Sequence, residues 1–310
     1  MSDAVTQALV LLHVARELRE RSLAEKGRWL RAERDARGRW EVDYLAGRLL
    51  REAFARASEL YGVEASVVLE EAELSFHVSR GECSGELRSS SPTFFVDPVC
   101  YSSDHTRWLV VGRSCFPTRA FFIGGWARRG YREARLTDME VGLHYSLGTG
   151  SYFLGLRTSG GYVTLLDGLP HSLPTRPPRR PVVALPWYSN ERFDLAGAVA
   201  RALSRKYRVF MGTGGTALDQ ALLFEGRVEG VVDLRALLAR DSGAALMPHD
   251  VVAIYPIARG LGIAVTDLEG RELGVRVWGE EPVSLVAARG ELHGELLEDV
   301  RKAVEALGLA

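Results

Sequence analysis

Apolar residues recur at helical spacing near the start of the chain. Ala8, Leu11, Leu12, Ala15 and Leu18 fall on one face, and Ser2 and Asp3 can cap a helix reaching about residue 23. A charged segment, 26–39, follows. Leu45, Leu49, Leu50, Phe54, Ala57 and Leu60 then mark a second helix, opened by Asp43 and stopped at Gly62. Beyond it the period changes to two. Short apolar or alternating runs at 63–69, 73–79, 108–111, 121–124, 139–147, 151–157 and 162–166 predict strands, with glycine-rich hairpin turns at 148–150 and 159–161. The last three form an antiparallel meander. A polar, serine-rich loop is predicted over 81–92.

From 182 onward strands and helices alternate. Strands are predicted at 182–186, 207–211, 228–234 and 263–266. Helices are predicted at 191–204, 216–224, 250–259 and 291–307. Such alternation favours a layered α/β arrangement. Five prolines and three arginines over 168–181 read as a stiff linker between an N-terminal half, 1–175, and a C-terminal half, 182–310.

Composition narrows the class. A chain of 310 residues with 46% hydrophobic positions can bury a sizeable core. A formal net charge of −1 offers no footprint for nucleic acid or an acidic membrane surface, and no apolar run has transmembrane length. Cys83, Cys100 and Cys115 lack zinc-type spacing; this odd count, with no signal-peptide profile, points to reduced cytoplasmic thiols. Lys26, Lys206 and Lys302 are the only lysines, which excludes a lysine nucleophile between the first two. Asn190 is the only asparagine, so thermolabile side chains are scarce, as in a heat-adapted source.

The stretch with most chemistry is Thr93-Phe94-Phe95-Val96-Asp97-Pro98-Val99-Cys100-Tyr101-Ser102. The aromatic, β-branched run predicts a buried strand that stops at Asp97-Pro98, because proline cannot continue a central strand. Asp97 is thereby placed at a strand's carboxyl end, where open α/β sheets hold ligands. Glu70-Glu71 close the strand at 63–69. Gly212-Thr213-Gly214-Gly215-Thr216 lies between a strand and a helix, yet is neither a P-loop nor a dinucleotide fingerprint. Asp233, His249-Asp250 and Val265-Thr266-Asp267 follow. The remaining histidines have no ligand spacing, and they are read, like His249, as structural or surface residues.

In that order these segments resemble the inositol monophosphatase and fructose-1,6-bisphosphatase superfamily, roughly from Asp43 to Asp267. The trio Asp233-Leu234-Arg235 looks most like its archaeal members that act on both inositol phosphate and fructose bisphosphate. The resemblance implies a layered α/β/α/β/α sandwich (α/β, or α+β by some schemes). It also implies a Mg²⁺-dependent phosphomonoesterase for a small sugar or inositol phosphate. Carried over residue by residue, Glu70, Asp97, the Val99 carbonyl and Asp250 would hold metal. Glu70 and Ser102 would orient the attacking water, and Gly214, Gly215, Thr216 and Asp233 would contact substrate. Family members commonly pair, so a homodimer is expected, with Tyr152 and Phe153 as exposed aromatics.

The motif is altered where chemistry would occur. Cys100 stands for the second Asp of the family's Asp-Pro-Ile-Asp-Gly-Thr turn, Tyr101 for its Gly and His249 for the Trp of Trp-Asp. A thiol is a poor Mg²⁺ ligand, so weak binding of one Mg²⁺ is expected. A paralogue without catalysis, binding a phosphorylated ligand or a protein partner, is the alternative reading.

Overall fold

The computed structural model describes residues 3–29, 41–100, 120–174, 178–187, 192–212, 215–238, 245–279 and 281–308. The predicted strand at 108–111 lies outside them. Among the described residues, fourteen strands form two sheets. The first contains β1 (Glu64–Leu69), β2 (Phe76–Ser79), β3 (Glu82–Ser84), β4 (Thr93–Cys100), β5 (Phe121–Ala127), β6 (Val141–Ser146), β7 (Tyr152–Thr158), β8 (Gly161–Leu166) and β9 (Leu169–Pro170). Their spatial order is β3-β2-β1-β4-β5-β6-β7-β8-β9, antiparallel throughout except for the parallel β1/β4 pair. The second sheet contains β10 (Val182–Leu185), β11 (Arg208–Met211), β12 (Gly230–Asp233), β13 (Ile263–Thr266) and β14 (Leu285–Arg289), in the order β11-β10-β12-β14-β13.

Alternation of side chains along the strands decides the layers. Val67 and Leu69 of β1, with Phe94 and Val96 of β4, face helices Asp3–Ala24 and Glu41–Tyr61. There Phe54 packs against Phe76 and Phe94 at 6.0 and 5.2 Å between ring centroids. Burying each such ring contributes about 1.5–3 kcal/mol as an upper figure. Val68 and Phe95 point the other way, into a middle layer with helices Thr216–Phe224 and Ile254–Gly260. Ala184, Val231, Leu285 and Ala287 of the second sheet close that layer from below. Val183, Val232, Val286 and Ala288 face the outer helices Phe193–Leu203 and Gly290–Glu305. The result is the α/β/α/β/α sandwich.

Two glycines set the depth of the middle layer. A Cβ on Gly142 would meet the Ala253 carbonyl oxygen at 2.7 Å, and one on Gly155 would meet the Ile257 nitrogen at 2.4 Å. Helix Ile254–Gly260 therefore lies directly on the backbone of β6 and β7, and the turn before it is held at a fixed height over the sheet.

Four expectations are corrected. Pro98 does not end its strand: β4 continues to Cys100 through a bulge between Asp97 and Cys100, where the missing proline N–H costs no ladder bond. Asp250 does not start an α-helix; it lies in a 3₁₀ turn, Pro248–Val251, and the helix begins at Ile254. A strand absent from the sequence reading, β14, sits inside the second sheet between β12 and β13. Phe153 is 4% exposed and packs on Phe224 and His171, each at 5.5 Å, while Tyr152 is half-buried and stacks on Tyr145. Neither is a free aromatic surface.

Candidate functional site

The parallel register Leu69↔Val96 brings the carboxyl ends of β1 and β4 side by side, and the Glu70 N–H donates to the Val96 carbonyl at 3.2 Å. Alternation then does the aiming. Val68 and Phe95 face the middle layer, so Glu70 and Asp97, each two residues on, leave on that same face. The bulge carries Cys100 around to the same place. Asp97 Oδ1 accepts the Val99 N–H at 3.1 Å, which pins the acid against its own turn. From the opposite side comes the turn Pro248–Val251. Pro248 opens it, Asp250 Oδ2 accepts the Met247 N–H at 2.8 Å, and Gln220 Nε2 donates to the Asp250 carbonyl at 3.1 Å.

Ligand-capable atoms of Asp97, Cys100 and Asp250 all lie within 4.8 Å of one another. His249 Nε2 stands 3.6 Å from Glu70 Oε1 and 3.8 Å from Asp250 Oδ1, tying Glu70 to the group. Asp97 is 2% exposed, whereas the Glu70 side chain is 42% exposed at the mouth. Burial, then the charges of Glu70 and Asp250, push the Asp97 carboxyl well above the ordinary range. Burial and the same carboxylates push the Cys100 thiol up as well. Burial raises Asp250, partly offset by the imidazole beside it. For His249 burial works against protonation, but Asp250, Glu70 and Asp97 prevail and hold it at about 10. Burial opposes ionisation of Glu70 too; the hydrogen bond and charge of His249, with a hydrogen bond from Asp97, together outweigh it and keep that carboxyl below the usual range.

A second polar group lies beneath. Asp233 faces the middle layer like Val231, and it is clamped by Arg235: Nε reaches Oδ1 at 3.0 Å and Oδ2 at 3.1 Å, and Nη2 reaches Oδ2 at 2.7 Å. Nη2 also donates to Thr216 Oγ1 at the start of helix Thr216–Phe224. Arg235 is fully buried. Burial lowers its pKa to about 10, so the guanidinium stays charged, and its field acts on Asp250 and Cys100. Beside Glu70 and His249 a cavity of about 310 Å³ is lined by Phe95, Met247, Val277 and Trp278.

Of the expected site residues, Glu70, Asp97, Val99, Cys100 and Asp250 come together. Gly215 and Thr216 open their helix, and Asp233 is engaged by Arg235. Tyr101, Ser102 and Gly214 lie outside the described residues. Two members were missed. His249 was read as structural or surface; its adjacency to Asp250 was the available signal. Arg235 enters the sequence reading only through the trio Asp233-Leu234-Arg235, with no role of its own, although a charged residue in Val231-Val232-Asp233-Leu234-Arg235-Ala236-Leu237-Leu238 needs a partner if the run is buried.

Neither a protein-family profile nor a curated protein matches the sequence. Solved structures do match. One is a hypothetical protein from Pyrococcus horikoshii with similarities for inositol-1 monophosphatase: 19% identity over 97% of this chain and 99% of that one, TM-score 0.68. Another is a Thermotoga maritima IMPase: 18% identity, 99% of each chain, TM-score 0.65. The chain has the inositol monophosphatase fold. An inositol monophosphatase–fructose 1,6-bisphosphatase matches as well, at 17% identity over 94% of this chain and 96% of that one, TM-score 0.63. The inositol monophosphatase fold fits the superfamily that the motifs resemble, across almost the whole chain, and at these identities the likeness is one of fold.

Proposed function

We propose that the chain is a phosphomonoesterase-like protein for a small sugar or inositol phosphate, dependent on a divalent cation and working with an altered metal set. The observation that carries this reading is the meeting of Glu70, Asp97, Cys100 and Asp250, which lie far apart in sequence. The donor set fits one divalent cation. It does not fit a pair of Mg²⁺ ions: a neutral thiol takes the place of a carboxylate, and His249 and Arg235 already supply positive charge. A bound cation would lower the pKa of a water and neutralise phosphoryl charge.

The chain's own residues have distinct tasks in this reading. Asp97 and Asp250 hold the ion, and Glu70, ionised and open to solvent, positions the water. The start of helix Thr216–Phe224 offers backbone N–H groups to the substrate. Mg²⁺, the ion that the resemblance implies, would bind only weakly here, and a homodimer in the cytoplasm is the proposed setting. No helix of the described chain is long and apolar enough to cross a membrane.

The test is phosphate release from a panel of sugar and inositol phosphates, with and without chelator. Slow, cation-dependent release that vanishes in Asp97→Asn and Asp250→Asn is expected. Release indifferent to the chelator and to both substitutions would end the proposal. The Cys100 and His249 replacements favour a second reading, a phosphate-ester binder without turnover. Saturable binding of the same esters with no phosphate released would select it. Light scattering reporting a monomer at micromolar concentration would remove the dimer.

A further inference from the structure

We infer that this centre is built for one thiophilic divalent cation, zinc or its cobalt surrogate, with Cys100 and His249 as ligands beside Asp97 and Asp250. The inference deepens the reading above by naming the ion, and rests on its placement of the metal at this cluster. It does not rest on phosphatase activity.

Geometry comes first. The Cys100 sulfur and the Asp97 and Asp250 oxygens lie within 4.8 Å of one another, delivered by a strand bulge on one side and a 3₁₀ turn on the other. His249 Nε2 stands beside one of these carboxylates, 3.8 Å from Asp250 Oδ1, and is shared with Glu70 Oε1 at 3.6 Å. Nitrogen, sulfur and two oxygens make a four-ligand set of the kind zinc takes, with bonds of about 2.0–2.3 Å. The imidazole stands outside the group of three, and it would turn from Glu70 toward the ion to complete that set.

Chemistry then selects the ion. Magnesium asks for six oxygens in an octahedron and gains little from a thiol or an imidazole. Both of those ligands bind zinc and cobalt well. Of the three positions that depart from the superfamily motif, Cys100, Tyr101 and His249, the first and last add softer donors. Binding would release the thiol proton of Cys100 and the Nε2 proton of His249 to solvent, with no change of oxidation state. Arg235 completes the case. Fully buried, it acts on Asp250 and Cys100, so one dication is balanced and a second meets a fixed positive charge.

The experiment is a titration of the metal-free full-length protein with Co²⁺, followed by absorption and by competition with Zn²⁺ and Mg²⁺. Expected are one equivalent of Co²⁺, a sulfur-to-cobalt charge-transfer band in the near ultraviolet, and displacement by Zn²⁺ but not by equimolar Mg²⁺. Cys100→Ser should abolish the band, and His249→Gln should weaken cobalt binding at least about tenfold. Cys100→Asp should shift preference toward Mg²⁺. Circular dichroism and thermal melts establish that each variant is folded; Cys100→Ala and His249→Asn stand in for a variant that is not, with the same loss of the band or of affinity expected. Cobalt bound without that band, no metal bound at all, or Mg²⁺ preferred by the wild type would each overturn the inference. A protein with the band and no phosphate release keeps this inference and loses only the phosphatase, whereas an active Mg²⁺ enzyme without the band does the reverse.

Discussion

Two polar groups share the middle layer of this fold, and they solve the problem of buried charge in opposite ways. Asp233 and Arg235 form a closed pair: both are about 1% exposed, and the guanidinium fork grips both carboxylate oxygens. Glu70, Asp97 and Asp250 form an open group, in which three acids and a thiol share one imidazole and Glu70 reaches solvent. The closed pair sets a guanidinium against a carboxylate, although burial still pushes the Asp233 carboxyl well above its ordinary range. The open group leaves carboxyls held above their ordinary range by burial and by each other. On the proposed reading, a bound cation would relieve that tension, since only one imidazole is shared among three acids.

The most severe way to break this contrast is Arg235→Met. It strands the Asp233 carboxylate in the core and should cost about 3–5 kcal/mol in chemical denaturation. Replacing both partners by apolar residues should recover most of that loss. A cost below about 1 kcal/mol would mean that the pair is not the brace described here.

A buried group without an ionic partner sharpens the same contrast. His144 is 1% exposed, packed between Phe121 at 4.5 Å and Phe224 at 5.7 Å, and burial pushes its pKa down to about 3. The unfolded chain accepts a proton near the ordinary value of about 6.5 and the folded chain does not. His144's contribution is therefore complete above pH 6.5 and is lost as pH falls toward 3. Near pH 5 the loss should be about 2 kcal/mol. Denaturation curves of the wild type and His144→Phe across this range should diverge at low pH; parallel curves would refute the prediction.

The open group makes a smaller prediction of opposite sign. Asp97 has a raised pKa, so its contribution is present below the ordinary carboxyl value and disappears as pH rises through the folded one. Asp97→Asn should stabilise the metal-free protein by roughly 1 kcal/mol near pH 8, with little gain near pH 4. Equal stabilisation at both pH values would point to packing instead of charge. Least affected is the surface. Lys206 reaches Glu295 at 2.8 Å and Asp299 at 3.2 Å, yet Lys206→Met should change stability by less than about 1 kcal/mol, because water and salt screen exposed pairs.

Amphipathic period and turn residues were enough to define helices Asp3–Ala24 and Glu41–Tyr61, the meander β6 to β8, and the alternation from β10 onward. Motif order was enough for the sandwich and for three of its carboxylates. The strand β14 escaped because Val283-Ser284-Leu285-Val286-Ala287-Ala288 carries no alternation: it is buried on both faces, and period says nothing there. The bulge at Pro98 escaped because local rules for proline describe regular ladders, and only the partner strand β5 reveals the register shift.

The sequence by itself determined the order of helices and strands and, through the order of its motifs, the layered sandwich, because period, turn residues and motif order are all carried by the chain itself. Tertiary structure alone decided that His249 joins those acids and that Arg235 takes Asp233. Each is a meeting of charges carried by separate elements, and the energy that selects it depends on distance and burial, which no single stretch of chain contains.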